Sequence, residues 1–84
     1  MELKQQFDQA VNNSKLLSEK PGNDVLLKLY ALYKQSTEGD ASEAPANTFD
    51  FVAKFKYEAW AGIKGTTRED AMKQYVDLVE KLKG

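Results

Sequence analysis

The chain has 84 residues, is 42% hydrophobic and 30% charged, and carries a formal net charge of −1 with no cysteine and no histidine. That length holds one small core, and the near-neutral balance gives no global pull on nucleic acid or an anionic membrane. The missing residue types exclude thiol and imidazole nucleophiles, a histidine general base and the usual zinc sites, so we expect no metal and no catalytic group.

The first predicted helix covers residues 3–17. Leu3, Phe7, Ala10, Val11 and Leu17 fall near a 3.6-residue period, with Ser14 filling the gap. Lys20-Pro21-Gly22 breaks it. The second predicted helix, 23–38, has Asn23 or Asp24 available as its cap. It carries Val25, Leu26, Leu27, Leu29, Tyr30, Leu32 and Tyr33, which is apolar over more than one face. Such a helix is buried in the middle of a domain or lines an apolar groove. Gly39 ends it.

Residues 40–48 read as a loop that either crosses the molecule or shapes a site, long enough for the next helix to run parallel to the last. The third predicted helix, 50–64, has Phe51, Phe55, Trp60 and Ile63 as its bulky residues, and we expect Trp60 in the core. Thr67 with Asp70, or Thr66 with Glu69, forms a capping box for the fourth, 67–83. Its stripe is Met72, Tyr75, Val76, Val79 and Leu82, expected to pack on the stripe of the first helix. The fold class is therefore all-α, with residues 1–84 as one domain. Apolar runs reach only a few residues, so neither a signal peptide nor a membrane-spanning segment is expected. The absence of disulfides points to a reducing compartment, the cytoplasm.

The segment from Leu29 to Asp40 carries the most chemistry. Tyr30 and Lys34 stand at i and i+4, with Tyr33 beside Lys34, so two phenols and an ammonium share one side of a helix. A phenol and a lysine together hold phosphate by charge and hydrogen bonds, and an aromatic face stacks on a base. Taken alone, the segment fits two core tyrosines and a solvated lysine at least as well.

The same segment resembles the signature of the acyl-coenzyme A-binding protein family, Tyr-x-x-Tyr-Lys-Gln-x-Thr-x-Gly-Asp, here Tyr30, Tyr33, Lys34, Gln35, Thr37, Gly39 and Asp40. Phe7, Lys20-Pro21, Phe51, Lys54-Phe55-Lys56-Tyr57, Trp60, Lys64-Gly65, Glu69-Asp70-Ala71-Met72 and Tyr75 extend the likeness over nearly the whole chain. The resemblance implies a four-helix bundle with one long overhand connection between helices 2 and 3. It implies that Tyr30 and Lys34 bind the 3′-phosphate region of coenzyme A, and that Lys54 helps hold phosphates and adenine. Tyr33 would border the adenine, Lys15 and Tyr75 would complete the site, and Leu26, Leu27 and Phe55 match positions facing the acyl chain. Tyr75 also lies on the core stripe, so its ring can be structural while its hydroxyl reaches a pocket. Lys56 is read as solvated.

Two departures from the family pattern stand out. Many relatives place a lysine where this chain has Val52. One charge-assisted hydrogen bond contributes about 1.5–3 kcal/mol, so weaker affinity is expected. Relatives also tend to carry a small residue at the position of Phe55, and a phenyl ring there is expected to shorten the groove. The expected role is that of a monomeric carrier and pool-former for medium- to long-chain acyl-CoA esters, without other cofactor, nucleic-acid partner or stable membrane insertion. The alternative is a small helical module taking a partner helix in its groove. A thioesterase ranks last, since it would need carboxylates alone.

Overall fold

The computed structural model describes residues 2–42 and 50–83. They form four helices: α1 (Leu3–Ser14), α2 (Asn23–Glu38), α3 (Phe51–Ala61) and α4 (Arg68–Leu82). No strand occurs among the described residues, and the chain has the expected all-α class. Residues 39–50 connect α2 to α3, the longest connection in the chain. Its residues 43–49, most of the expected 40–48 loop, lie outside the described residues.

Helix α1 packs on α4, α4 on α2, and α2 on α3. The stripes of the first and last helices therefore meet, as their periodicity predicts. Phe7, Ala10, Leu29, Leu32, Ala71, Tyr75 and Val79 form the buried cluster, with Val11, Val25, Ile63, Met72, Val76, Leu78 and Leu82 packed against it. Phe7 is the junction. Its ring stacks on Tyr33 at 6.0 Å between centroids and meets Tyr75 edge-on at 5.1 Å, the offset and T-shaped arrangements that ring quadrupoles favour. Helix α2 has neighbours on two sides, which accounts for its apolar residues on more than one face.

Helix ends follow local hydrogen bonding. α1 stops at Ser14 rather than Leu17. The Lys15 and Leu16 amides donate to the Asn12 and Asn13 carbonyls, three residues back, and the Ser14 hydroxyl donates to the Val11 carbonyl at 2.7 Å. The Ser14 side chain competes with the helical ladder in this way. α3 stops at Ala61 rather than residue 64, because Ile63, Lys64 and Thr66 likewise bond three residues back. That turn places Gly65 at φ 96°, where a side chain would be strained.

Neither Asn23 nor Asp24 caps α2. Gly22 holds the N-cap position, and Asp24 lies in the first turn, where a carboxylate complements the positive end of the helix dipole. Asp50 caps α3 by accepting from the Ala53 amide at 3.1 Å. Thr67 caps α4 by accepting from the Asp70 amide at 3.0 Å, so of the two expected N-caps, Thr66 and Thr67, the structure uses Thr67.

Candidate functional site

One face of α2 and one face of α3 enclose a cavity of about 350 Å³ lined by Tyr30, Lys34, Asp50, Val52, Ala53, Lys56, Tyr57 and Trp60. Tyr30 and Lys34 come one turn apart on α2. Val52, Lys56 and Trp60 come at successive turns of α3, a stripe of period four. The Lys34 ammonium lies 5.3 Å from the centroid of the Trp60 ring and 6.0 Å from that of Tyr30. The Lys56 ammonium lies 5.2 Å from the same Tyr30 ring. Two cations thus converge on one phenol ring, each held by the negative face of an aromatic.

Lys34 is also paired with Glu38, one turn further along α2. The hydrogen bond that Lys34 donates to Glu38 raises the Lys34 pKa above its ordinary value, partial burial opposes it, and the Glu38 charge with Tyr30 and Tyr33 adds to the rise. Lys34 is accordingly a fixed cation at neutral pH. Two ammonium groups, phenol hydroxyls and aromatic faces around one open cavity suit an anion that carries a ring.

Trp60 is a correction to the sequence reading. It is half-buried and lines the cavity rather than lying in the core. What holds it there is the second half of the Tyr-x-x-Tyr-Lys-Gln-x-Thr-x-Gly-Asp segment. Gln35 is 1% exposed. Its Oε1 accepts from the Trp60 indole N–H at 3.1 Å, and its Nε2 donates to Asp40 Oδ1 at 2.7 Å and to the Thr66 carbonyl at 2.7 Å. The indole N–H also reaches the Gly39 carbonyl at 2.8 Å, and Asp40 Oδ1 accepts from the Gly65 amide at 2.9 Å. The Gly65 and Gln35 bonds hold the Asp40 carboxyl below its ordinary range, with Lys64 assisting and desolvation opposing. Gly39, at φ 83°, lets the chain leave α2 toward these partners. Arg68 Nη2 adds a bond to the Glu38 carbonyl at 3.3 Å. The segment is thus divided: Tyr30 and Lys34 line the cavity, while Gln35, Gly39 and Asp40 fasten α2 to the end of α3 and the turn before α4.

A second cavity, about 260 Å³, continues along the same helix pair and is lined by Asn23, Leu26, Leu27, Val52, Phe55 and Lys56. It shares Val52 and Lys56 with the first. Leu26, Leu27 and Phe55, the three residues expected to face an acyl chain, meet here. Phe55 is 52% exposed, so it belongs to an open wall and not to the core. Lys56, read from sequence as solvated, stands at the junction of the polar and apolar cavities.

The remaining expected residues lie elsewhere. Tyr33 is exposed, lines neither cavity, and stacks its ring on Phe7. Tyr75 is buried, and its hydroxyl donates to Ser14 Oγ at 3.2 Å. Lys15 is exposed at the C-cap of α1, next to that serine. Lys54 is exposed on α3 and lines neither cavity. Tyr30 and Lys34 therefore share one cavity, Lys15 and Tyr75 approach each other through Ser14, and Lys54 stands apart. Lys56, Tyr57 and Trp60 are among the site-lining residues that the sequence reading left out, and for Lys56 and Trp60 the four-residue spacing was the available signal.

Comparison with known proteins fits this geometry. The profile of the family described as "Acyl CoA binding protein" matches residues 4–79. The acyl-CoA-binding protein of Dictyostelium discoideum is 46% identical over 76 residues, covering 90% of this chain and 90% of that protein. Enoyl-CoA delta isomerase 2 of Rattus norvegicus is 49% identical over 78 residues, and the chain spans only 20% of its length. The crystal structure of acyl-CoA-binding protein 2 from Oryza sativa superposes with a TM-score of 0.90 at 31% identity, covering 96% of this chain and 90% of that one.

Proposed function

The chain belongs to the acyl-CoA-binding protein family, and from that premise we propose that it binds acyl-CoA esters reversibly, as a carrier and pool-former that performs no chemistry on them. The observation that carries this reading is the sharing of Val52 and Lys56 by two cavities, one walled by lysines and aromatic rings and the other by Leu26, Leu27 and Phe55. An acyl-CoA ester makes the same paired demand, for cations and flat partners at one end and a dry wall at the other.

In this reading Tyr30, Lys34 and Lys56 take the phosphates of the head group. Tyr33 borders the adenine, and Lys15 just past α1, Lys54 on α3 and Tyr75 on α4 contact parts of the head group that extend beyond the two cavities. Leu26, Leu27 and Phe55 take a medium-length to long acyl chain. Burying one methylene contributes about 0.8 kcal/mol, so tail and head share the affinity. The protein acts as a cytoplasmic monomer with no cofactor besides this ligand. No helix among the described residues is long and apolar enough to cross a membrane.

Calorimetric titration with an acyl-CoA ester, free coenzyme A and the free fatty acid tests the proposal. The intact ester is expected to bind far more tightly than either fragment. A chain that fails to bind the ester, or that binds the fatty acid equally well, rules the reading out.

A further inference from the structure

Next to Lys34, and outside the cavity that Lys34 lines, stands an acidic side chain whose placement runs against local helix energetics. Glu38 is the last residue of α2. A carboxylate there faces the negative end of the helix dipole. Its pairing with Lys34 has the lysine first and the acid four residues later, the weaker of the two orders on a helix. The Glu38 side chain is 53% exposed, and an exposed pair of this kind contributes little to stability. The carboxylate nevertheless occupies Lys34, the cation that lies over both the Tyr30 and the Trp60 rings.

We propose that Glu38 is a competing anion built into the head-group site, holding Lys34 in place until a ligand phosphate displaces it and thereby setting the affinity below what the cavity would otherwise give. This inference rests on the acyl-CoA reading and names a residue that tunes it. A phosphate that reaches Lys34 must break or share the Glu38 bond and then sits beside a like charge. Ligands with less charge at that point gain less from displacing it. Glu38 keeps binding reversible, which a carrier that must release its cargo requires.

The test is titration of the unaltered chain, Glu38→Gln, Lys34→Ala and the double variant with an acyl-CoA ester and with the corresponding ester lacking the 3′-phosphate. Glu38→Gln is expected to bind the full ester roughly three- to tenfold more tightly, the scale of one like charge removed near a protein surface. The gain should shrink as salt rises. It should fall below about twofold for the ester lacking the 3′-phosphate and vanish in the Lys34→Ala background, the double-mutant signature of a direct pair. If the unaltered chain does not bind the ester, the ligand reading itself is overturned. If it binds but Glu38→Gln binds equally or more weakly, or the gain persists without Lys34, the inference about Glu38 is overturned and the ligand reading stands. A thermal melt of each variant confirms that all are folded when compared.

Discussion

Helix α2 has α4 on one side and α3 on the other, and the two contacts differ in what they bury. On the α4 side, Leu29 and Leu32 meet Phe7, Tyr75 and Val79, all nearly inaccessible to water. On the α3 side nothing from α3 is fully buried, and Phe51, Val52 and Phe55 are each more than half exposed. Apolar burial stabilises the first contact. The second is held at one end by polar bonds, the network of Gln35, Asp40 and Trp60, while the Asp50 cap at the other end of α3 stabilises that helix itself. A helix fastened at one end by polar bonds can leave the rest of its inner face open to a ligand, whereas one held by a buried apolar stripe cannot.

Substitution of Phe7 should produce the largest effect. Its ring is 2% exposed and contacts both Tyr33 and Tyr75. Phe7→Ala is expected to cost about 3–5 kcal/mol, the range for removing a buried phenyl ring. Small domains have only about 5–15 kcal/mol in total, so a urea titration should find the variant close to unfolding at 25 °C. A loss under about 1 kcal/mol would mean that the stability does not reside on the α4 side.

Gln35→Ala probes the fastening of α3. It removes one partner each from Asp40, Trp60 and the Thr66 carbonyl, while Asp40 keeps Gly65 and Trp60 keeps Gly39, so the cost is that of lost hydrogen bonds, about 0.5–1.5 kcal/mol each. Trp60 is the sole tryptophan, so its emission reports the site directly. A shift in emission with weakened ligand binding is expected in the still-folded variant. Unchanged emission would detach Gln35 from the placement of Trp60.

Lys34→Ala separates binding from folding. Affinity for an acyl-CoA ester should fall by more than about 1.5 kcal/mol, on the scale of a charged hydrogen bond. Stability should change by less than about 1.5 kcal/mol, since the residue loses a surface ion pair and two cation–π contacts at a partly open site. Calorimetry at two salt concentrations and a denaturation curve check both parts, and an unchanged affinity would remove Lys34 from the site.

Asp40 gives the fastening a pH signature. Its folded pKa lies below the ordinary 3.8, through the Gly65 and Gln35 bonds. A carboxyl with a depressed folded pKa contributes stability that is complete above the unfolded value and is lost as pH falls through the folded one. The acid limb of the stability profile below pH 3.8 should therefore flatten in Asp40→Asn. Thermal melts at stepped acidic pH measure it, and parallel profiles for both proteins would assign the acid limb to other carboxyls.

How far the sequence reaches follows the same division. The four helices are legible because Phe7, Leu29, Leu32, Tyr75 and Val79 recur with helical period, and the core they make is the strongest term. Tyr30 with Lys34, and Leu26 with Leu27, are legible as pairs because their spacing puts each on one side of α2. The network that seats Trp60 is not, since its bonds join residues 21 to 31 positions apart, a distance at which periodicity is silent. Trp60 therefore reads as core, although its N–H is satisfied by Gln35 and Gly39 and its ring faces Lys34. Lys56 reads as solvated because most helical lysines are, and only the partner helix reveals Tyr30 beneath it. The early end of α1 was written in Asn12-Asn13-Ser14, three residues that favour local side-chain bonds over the ladder.

The finest probe of the open side is Phe55. It shares a cavity of about 260 Å³ with Leu26 and Leu27, and it is 52% exposed. A ring buried in the core would cost about 3–5 kcal/mol on removal. A ring with half its surface in water has less packing to lose, so Phe55→Ala should destabilise the fold by less than about 1.5 kcal/mol. The ring also fills space that a longer tail needs, and packed side chains do not yield such volume freely. The unaltered protein should accordingly prefer shorter acyl chains than Phe55→Ala, with each added methylene contributing at most about 0.8 kcal/mol in the variant. Titration of both proteins with a series of acyl lengths, alongside a denaturation curve, reads the two effects separately. A collapse in stability with an unchanged length profile would make Phe55 a structural residue and move the acyl chain off this wall.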